Sequence, residues 1–187
     1  GVVAMAWANA GLDDDSSANA KGIVLMAGVC MPWPGDLGAY YTVNGSAVGG
    51  AVLPPLIAAY ASDARVKSTI EGIFAPQAVP LGYADYIGAN LAVRPTTFRA
   101  NVQQVNTLRP HVVEMSKRYA ELTLPIEIVH GDADKSVPIN IHSEELIKIV
   151  PGANLTALSG VGHMPHHADR EATLAAIDRA ASRAGLL

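Results

Sequence analysis

What this chain lacks narrows its chemistry first. It has one cysteine, Cys30, in 187 residues, so no internal disulfide can form. Charged residues make up only 16 % and the net charge is −4, which argues against a nucleic-acid footprint. No apolar run reaches the roughly 18 residues that a membrane span needs. The opening stretch is apolar but lacks the basic start and cleavage site of a signal peptide, so the cytoplasm is the default compartment. There is no internal repeat and no low-complexity tract. What is present is apolar substance: half of the residues are hydrophobic, enough for one domain with a real core, or one domain plus an insertion.

Along the chain, "GVVAMAWANA" patterns as a helix of small residues. Ala4, Ala6, Ala8 and Ala10 suit close packing on a sheet, and Gly11 suits a stop. "GIVLMAG" (22–28) is a short continuous apolar run between glycines, the pattern of a strand buried on both faces in a parallel sheet. From 29 to 122 the texture is helical and irregular, with breaks expected at Pro54-Pro55, Pro76, Pro80 and Pro95, and a fresh helix expected from Pro110. From 125 the α/β texture returns: the strand "PIEIVHG", an amphipathic helix in "PINIHSEELIKIVP", the strand "ANLTALSG", and a C-terminal helix. Two α/β pieces, 1–28 and 123–187, thus flank a helical insertion at 29–122.

Two loops carry the candidate chemistry. "HGDADKSVP" (130–138) and "GVGHMPHH" (160–167) each follow a strand, and a crossover helix separates those strands. They are therefore expected to be parallel neighbours, with both loops at the same carboxyl edge, where ligands bind in open α/β folds. An acid on one loop and a histidine on the next can meet there. A carboxylate that accepts the imidazole Nδ1 proton fixes the tautomer and stabilises the imidazolium formed in turnover.

The segments "IVHGDADKSVP", "LSGVGHMPHH" and "GVVAMAWANA…KGIVLMAG" resemble the acid loop, the histidine loop and the post-nucleophile helix and strand of the α/β-hydrolases. The resemblance implies the C-terminal part of that fold: parallel strands with covering helices, plus a helical cap at 29–122. It makes Asp134 the triad acid and His163 the base, in the family's chain order. Trp33, Tyr40 and Met164 are candidates to line an apolar acyl pocket; Trp33, Tyr40 and Tyr41 could equally be the cap's own core. Asp132 reads as a turn former or a group behind the acid, and His111, His130 and His142 as structural or exposed. His166 and His167 stand near His163 at H-x-x-H-H spacing, but no further metal ligand is named, so no metal and no cofactor is expected.

The departure is the nucleophile. The family's G-x-S-x-G elbow opens the helix with which this sequence begins, so nucleophile and oxyanion hole are expected upstream of Gly1. "GVCMP" around Cys30 imitates an elbow, but Pro32 replaces the last glycine. Ser46 has the wrong glycine spacing, and Ser159 lies on the histidine loop itself. The sequence therefore points to an esterase-like serine hydrolase acting on a small apolar ester. Its partner would be an N-terminal part of the same hydrolase, as a separate chain or as further residues. The alternatives are a haloalkane dehalogenase or epoxide hydrolase with an aspartate nucleophile, and a non-catalytic binding protein on the same fold.

Overall fold

The structure, a computed structural model, describes residues 1–13, 20–35, 38, 42–44, 46–60 and 62–187. It forms two compact units. One comprises Gly1–Trp33, Ile73–Gln77 and Val112–Leu187; the other comprises Pro34–Gly72 and Ala78–His111.

The first unit is built on three parallel strands, β1 (Ile23–Met26), β2 (Ile126–Gly131) and β3 (Ala153–Leu158), in the order β1-β2-β3. Ile23 stands opposite Ile126, and Ile126 opposite Ala153. Parallel strands end at one edge, so the loops after β2 and β3 leave side by side. The middle strand β2 is buried along its whole length. Side chains alternate across a strand, and here the two faces do different work. Ile126 and Ile128 join Met5, Ala8, Leu25, Tyr119, Leu146 and Val150 in the main apolar cluster. On the other face, buried Glu127 accepts from Arg179 Nε (3.0 Å), Arg183 Nη1 (2.6 Å) and Asn154 Nδ2 (2.8 Å).

The opening residues form helix α1 (Val2–Ala10), with Met5, Ala8 and Asn9 inward. A side chain on Gly1 would collide with the Val29 carbonyl, so the helix start sits directly on the chain leaving β1. Gly11 ends the helix in right-handed geometry (φ −66°), so the left-handed freedom of glycine is not what stops it. β1 is not buried on both faces as its composition suggests. Ile23 and Leu25 are inward, but Met26 is 36 % exposed. The reason is position: among the described residues β1 pairs on one side only, with β2.

In the second unit lie α2 (Ala47–Tyr60), the body of α3 (Asp63–Phe74), the short α4 (Tyr83–Tyr86) and the greater part of α5 (Pro95–Ser116). The prolines behave differently from expectation. α2 runs through Pro54 and Pro55, and α5 through Pro110, without a break. Proline's fixed φ is itself helical; what it forfeits is one backbone bond and some room in the preceding turn. Pro95 does mark a start, at the first helical position where no N–H is needed. Ser62 caps α3, its Oγ accepting from Arg65 N–H at 3.3 Å.

Three helices complete the first unit. α6 (Ser143–Ile149) is shorter than the amphipathic pattern suggests. The Ile141 and His142 amides both turn back onto the Pro138 carbonyl, at 3.1 and 3.2 Å, so the segment before Ser143 is a turn. α7 (Pro165–Ala168) follows the histidine loop. α8 (Arg170–Arg183) is capped by Asp169 Oδ1, which accepts from Ala172 N–H at 2.9 Å, and it buries Thr173, Ala176 and Ala180.

Candidate active site

The acid loop leaves β2 at Gly131, where a side chain would collide with the Val161 carbonyl. Backbone therefore meets backbone, and the two loops are laced together. Asp132 N–H donates to Leu158 O (3.0 Å), Ala133 N–H to Val161 O (2.9 Å), and Gly160 N–H to Asp132 Oδ1 (2.6 Å). Gln77 grips the histidine loop in turn. Its Nε2 donates to Gly160 O and its Oε1 accepts from Gly162 N–H, both at 2.8 Å. A side chain on Gly162 would strike the Ala75 carbonyl, so the segment carrying Gln77 also depends on a glycine.

This lacing brings Asp134 and His163 together. Asp134 Oδ2 lies 2.8 Å from His163 Nδ1. The Asp134 side chain is fully buried and that of His163 is 27 % exposed. Oδ1 accepts from the Ser136 and Val137 amides at 2.8 and 2.9 Å, an Asx-type turn closed by the acid itself. Burial alone would raise the Asp134 ionisation. Hydrogen bonds from His130, His163 and the Val137 amide outweigh it and hold the carboxyl well below the usual range. A carboxylate facing Nδ1 takes that nitrogen's proton as a hydrogen bond and leaves the Nε2 lone pair bare. Among the described residues nothing bonds His163 Nε2.

Behind the pair stands His130, which the sequence reading sets aside as structural or exposed. It is fully buried, with Nε2 2.8 Å from Val137 O and 3.1 Å from Asp134 Oδ2, and Nδ1 2.5 Å from Ser143 Oγ. The signal was present in the sequence: a histidine on the same strand face as Ile126 and Ile128 must find partners. His142 is buried too. Burial first, and then the neighbouring His130, push its imidazole down to about 4, while its Nδ1 accepts the Met31 amide proton at 3.2 Å.

The remaining candidates are dispersed. Trp33 lies over His142, with ring centroids 6.4 Å apart. Met164 is half-buried and starts α7, its carbonyl accepting from the His167 and Ala168 amides. Tyr40 and Tyr41 lie outside the described residues. Cys30 is completely buried, and burial pushes its thiol up to about 12, unsuitable for a nucleophile. His166 and His167 are exposed, their rings tilted against each other with centroids 4.5 Å apart, and His167 also lies 5.3 Å from Phe74. Among the described residues no group of three metal-ligating side chains is placed to hold an ion.

This arrangement of parallel strands and covering helices recurs in solved structures. The fold is that of the α/β-hydrolases. A meta-cleavage product hydrolase from Pseudomonas fluorescens matches 94 % of this chain and 60 % of its own, at TM-score 0.61 and 15 % identity. A thermophilic esterase from Thermogutta terrifontis matches 95 % and 61 %, at TM-score 0.53 and 14 % identity. A monoacylglycerol lipase from Paleococcus ferrophilus matches 97 % and 65 %, at TM-score 0.57 and 13 % identity. This chain thus spans about three-fifths of the length of such α/β-hydrolases. At the level of sequence no family model and no curated protein matches.

Proposed function

We propose that this chain supplies the acid and base of an esterase-like hydrolase, with Asp134 orienting His163. The observation that carries the reading is the 2.8 Å contact between Asp134 Oδ2 and His163 Nδ1, with Nε2 left open. In this reading Nε2 removes the proton of a nucleophilic hydroxyl as it attacks an ester carbonyl. It then gives that proton to the departing alcohol and repeats the cycle with water. Asp134 stays ionised throughout and balances the transient imidazolium charge. Trp33 and Met164 are the proposed apolar contacts for the acyl side, and the helical insertion at 29–122 is the proposed cap.

The nucleophile and oxyanion hole are proposed to come from residues outside these 187, on the same polypeptide or on a partner chain. Two things support this. The chain spans only about three-fifths of the length of the hydrolases it resembles. And among the described residues no serine or cysteine bonds the base: Ser143 is taken up by His130, Cys30 is buried, and Ser159 is exposed on the histidine loop.

The test is fluorophosphonate labelling of the protein purified with whatever accompanies it, followed by mass mapping of the label. Label on a serine outside residues 1–187, abolished by His163→Ala, is the expected result. Label on Cys30 or Ser46, or labelling that survives His163→Ala, overturns the proposal. An N-terminal segment carrying G-x-D in place of G-x-S would shift the reading to an aspartate nucleophile.

A further inference from the structure

The pair proposed above uses two side chains, yet three converge on the acid. We propose that His130 is a positioning residue of this site, its Nε2–H joining Asp134 Oδ2 to Val137 O and so fixing the carboxylate that orients His163. The inference rests on Asp134 being the acid of the pair, and it assigns to a buried histidine a role that packing alone does not require.

The argument begins at the strand. β2 carries Ile126, Ile128 and His130 on one face, so the ring lies at the top of the apolar cluster, directly beneath the acid loop. A polar ring there needs partners at both nitrogens. Nε2 faces two groups that can only accept, the Val137 carbonyl at 2.8 Å and the Asp134 carboxylate at 3.1 Å. Neither has a proton to offer, so Nε2 must hold one. Nδ1 faces the Ser143 hydroxyl, which can donate. A single ring proton therefore satisfies both nitrogens: the acceptors at Nε2 place it there, and the Ser143 hydroxyl adapts by donating to Nδ1.

The loop closes on this ring. Val137 gives its amide proton to Asp134 Oδ1 and takes the His130 proton on its carbonyl. Both carboxylate oxygens are thus held from the same three-residue reach, and the one facing His163 is held by an imidazole. An uncharged donor is the right choice. A guanidinium or ammonium here would cancel the negative charge that the His163 imidazolium needs in turnover, whereas an imidazole N–H orients Oδ2 without cancelling it. Ser143 begins α6, so the helix after the acid loop fixes the ring that fixes the acid. The titratable groups facing His130 are Asp134 and His142, with His163 beyond the acid.

The test reads the site without needing turnover. In the wild-type chain, the His163 Nδ1 proton is expected as a slowly exchanging low-field resonance. His130→Met keeps the volume and removes the donor; His130→Gln keeps an N–H that reaches the same position. The Met variant is expected to exchange that proton about tenfold faster, and the Gln variant to stay close to wild type. Equal exchange in the Met variant and wild type overturns the proposal, as does a Gln variant that behaves like Met. If His130→Met does not fold, Ser143→Ala decides: it releases the far side of the ring, and unchanged exchange there overturns the role. A failed labelling experiment would sink the hydrolase reading and leave this result standing, since the resonance reports position and not activity.

Discussion

Asp134 carries four hydrogen bonds on two oxygens, and all four partners are donors. An amide cannot serve all of them. In Asp134→Asn the oxygen is held by the Ser136 and Val137 amides, which turns the new NH₂ toward two imidazole N–H groups. His163 relieves the clash by moving its proton to Nε2, and its lone pair then faces the wrong way. Asp134→Asn is therefore expected to slow fluorophosphonate labelling by on the order of 10³–10⁴-fold while the fold persists; a near-wild-type rate would remove Asp134 from the site. The same carboxylate links stability to pH. Its ionisation in the folded state lies below the ordinary range. The stability it contributes is thus fully present above about pH 4 and is lost as pH falls through the depressed folded value. The gap in unfolding free energy between wild type and Asp134→Asn should accordingly shrink below about pH 4, as urea titrations across the acid range would show. A gap that widens there would contradict the assignment.

Elements hold these residues in place, and two contacts between elements are open to test. Glu127 on β2 takes Arg179 and Arg183 of α8, and Arg183 also reaches Gly152 O at 2.7 Å before β3. Burial would raise the Glu127 ionisation, but Asn154 and the two guanidiniums bring it below the usual value. Glu127→Ala leaves two half-exposed guanidiniums that regain water, so the loss should be about 2 kcal/mol, below the full penalty for a stranded buried charge. Equilibrium urea unfolding checks it, and labelling should be untouched because the pair lies on the face away from His130. Gln77 is the second contact. Gln77→Glu keeps the acceptor for Gly162 N–H but sets a carboxylate against the Gly160 carbonyl. Labelling should fall about tenfold from a looser histidine loop, with little change in unfolding midpoint. The difference between what these elements announce and what they conceal is physical. Asp134 and His163 were legible because each follows a strand by a few residues, and parallel strands deliver their loops to one edge. For His130 the sequence carried the signal of a polar ring on a buried strand face but not the identity of its partners, which lie four, seven and thirteen residues away on the acid loop and the following helix. Gln77 was hidden for the same reason, at 83 residues from Gly160. The two-faced burial expected for β1, the break expected at Pro54-Pro55 and the fresh helix expected from Pro110 failed because run composition and proline content do not report where a strand sits in a sheet or whether a helix tolerates one lost bond.

At the scale of the whole molecule the sheet itself poses the last question. Ile23 N–H bonds Pro125 O and Ala27 N–H bonds Val129 O, each at 2.9 Å, so alternation turns the Val24 and Met26 amides to the far side of β1. Among the described residues no strand pairs with that side. The edge strand reads Ile-Val-Leu-Met, and α1 exposes Val3 and Trp7. Apolar and uncharged, with no lysine, proline or inward charge, this edge lacks the side-chain devices that keep edge strands from pairing with other chains, and only its shortness works against such pairing. The proposed N-terminal part would cover it with a further parallel strand, which also follows from the burial that parallel sheets require. Residues 1–187 alone are therefore expected to self-associate, and Met26→Lys, a charge placed at the edge, is expected to shift the population toward monomer in sedimentation velocity. The substitution lies on β1 while Asp134 and His163 follow β2 and β3, so the low-field His163 resonance should survive it. A monodisperse, cooperatively unfolding monomer from the unmodified chain would show that the edge needs no cover, and the proposal of a completing strand would fall with it.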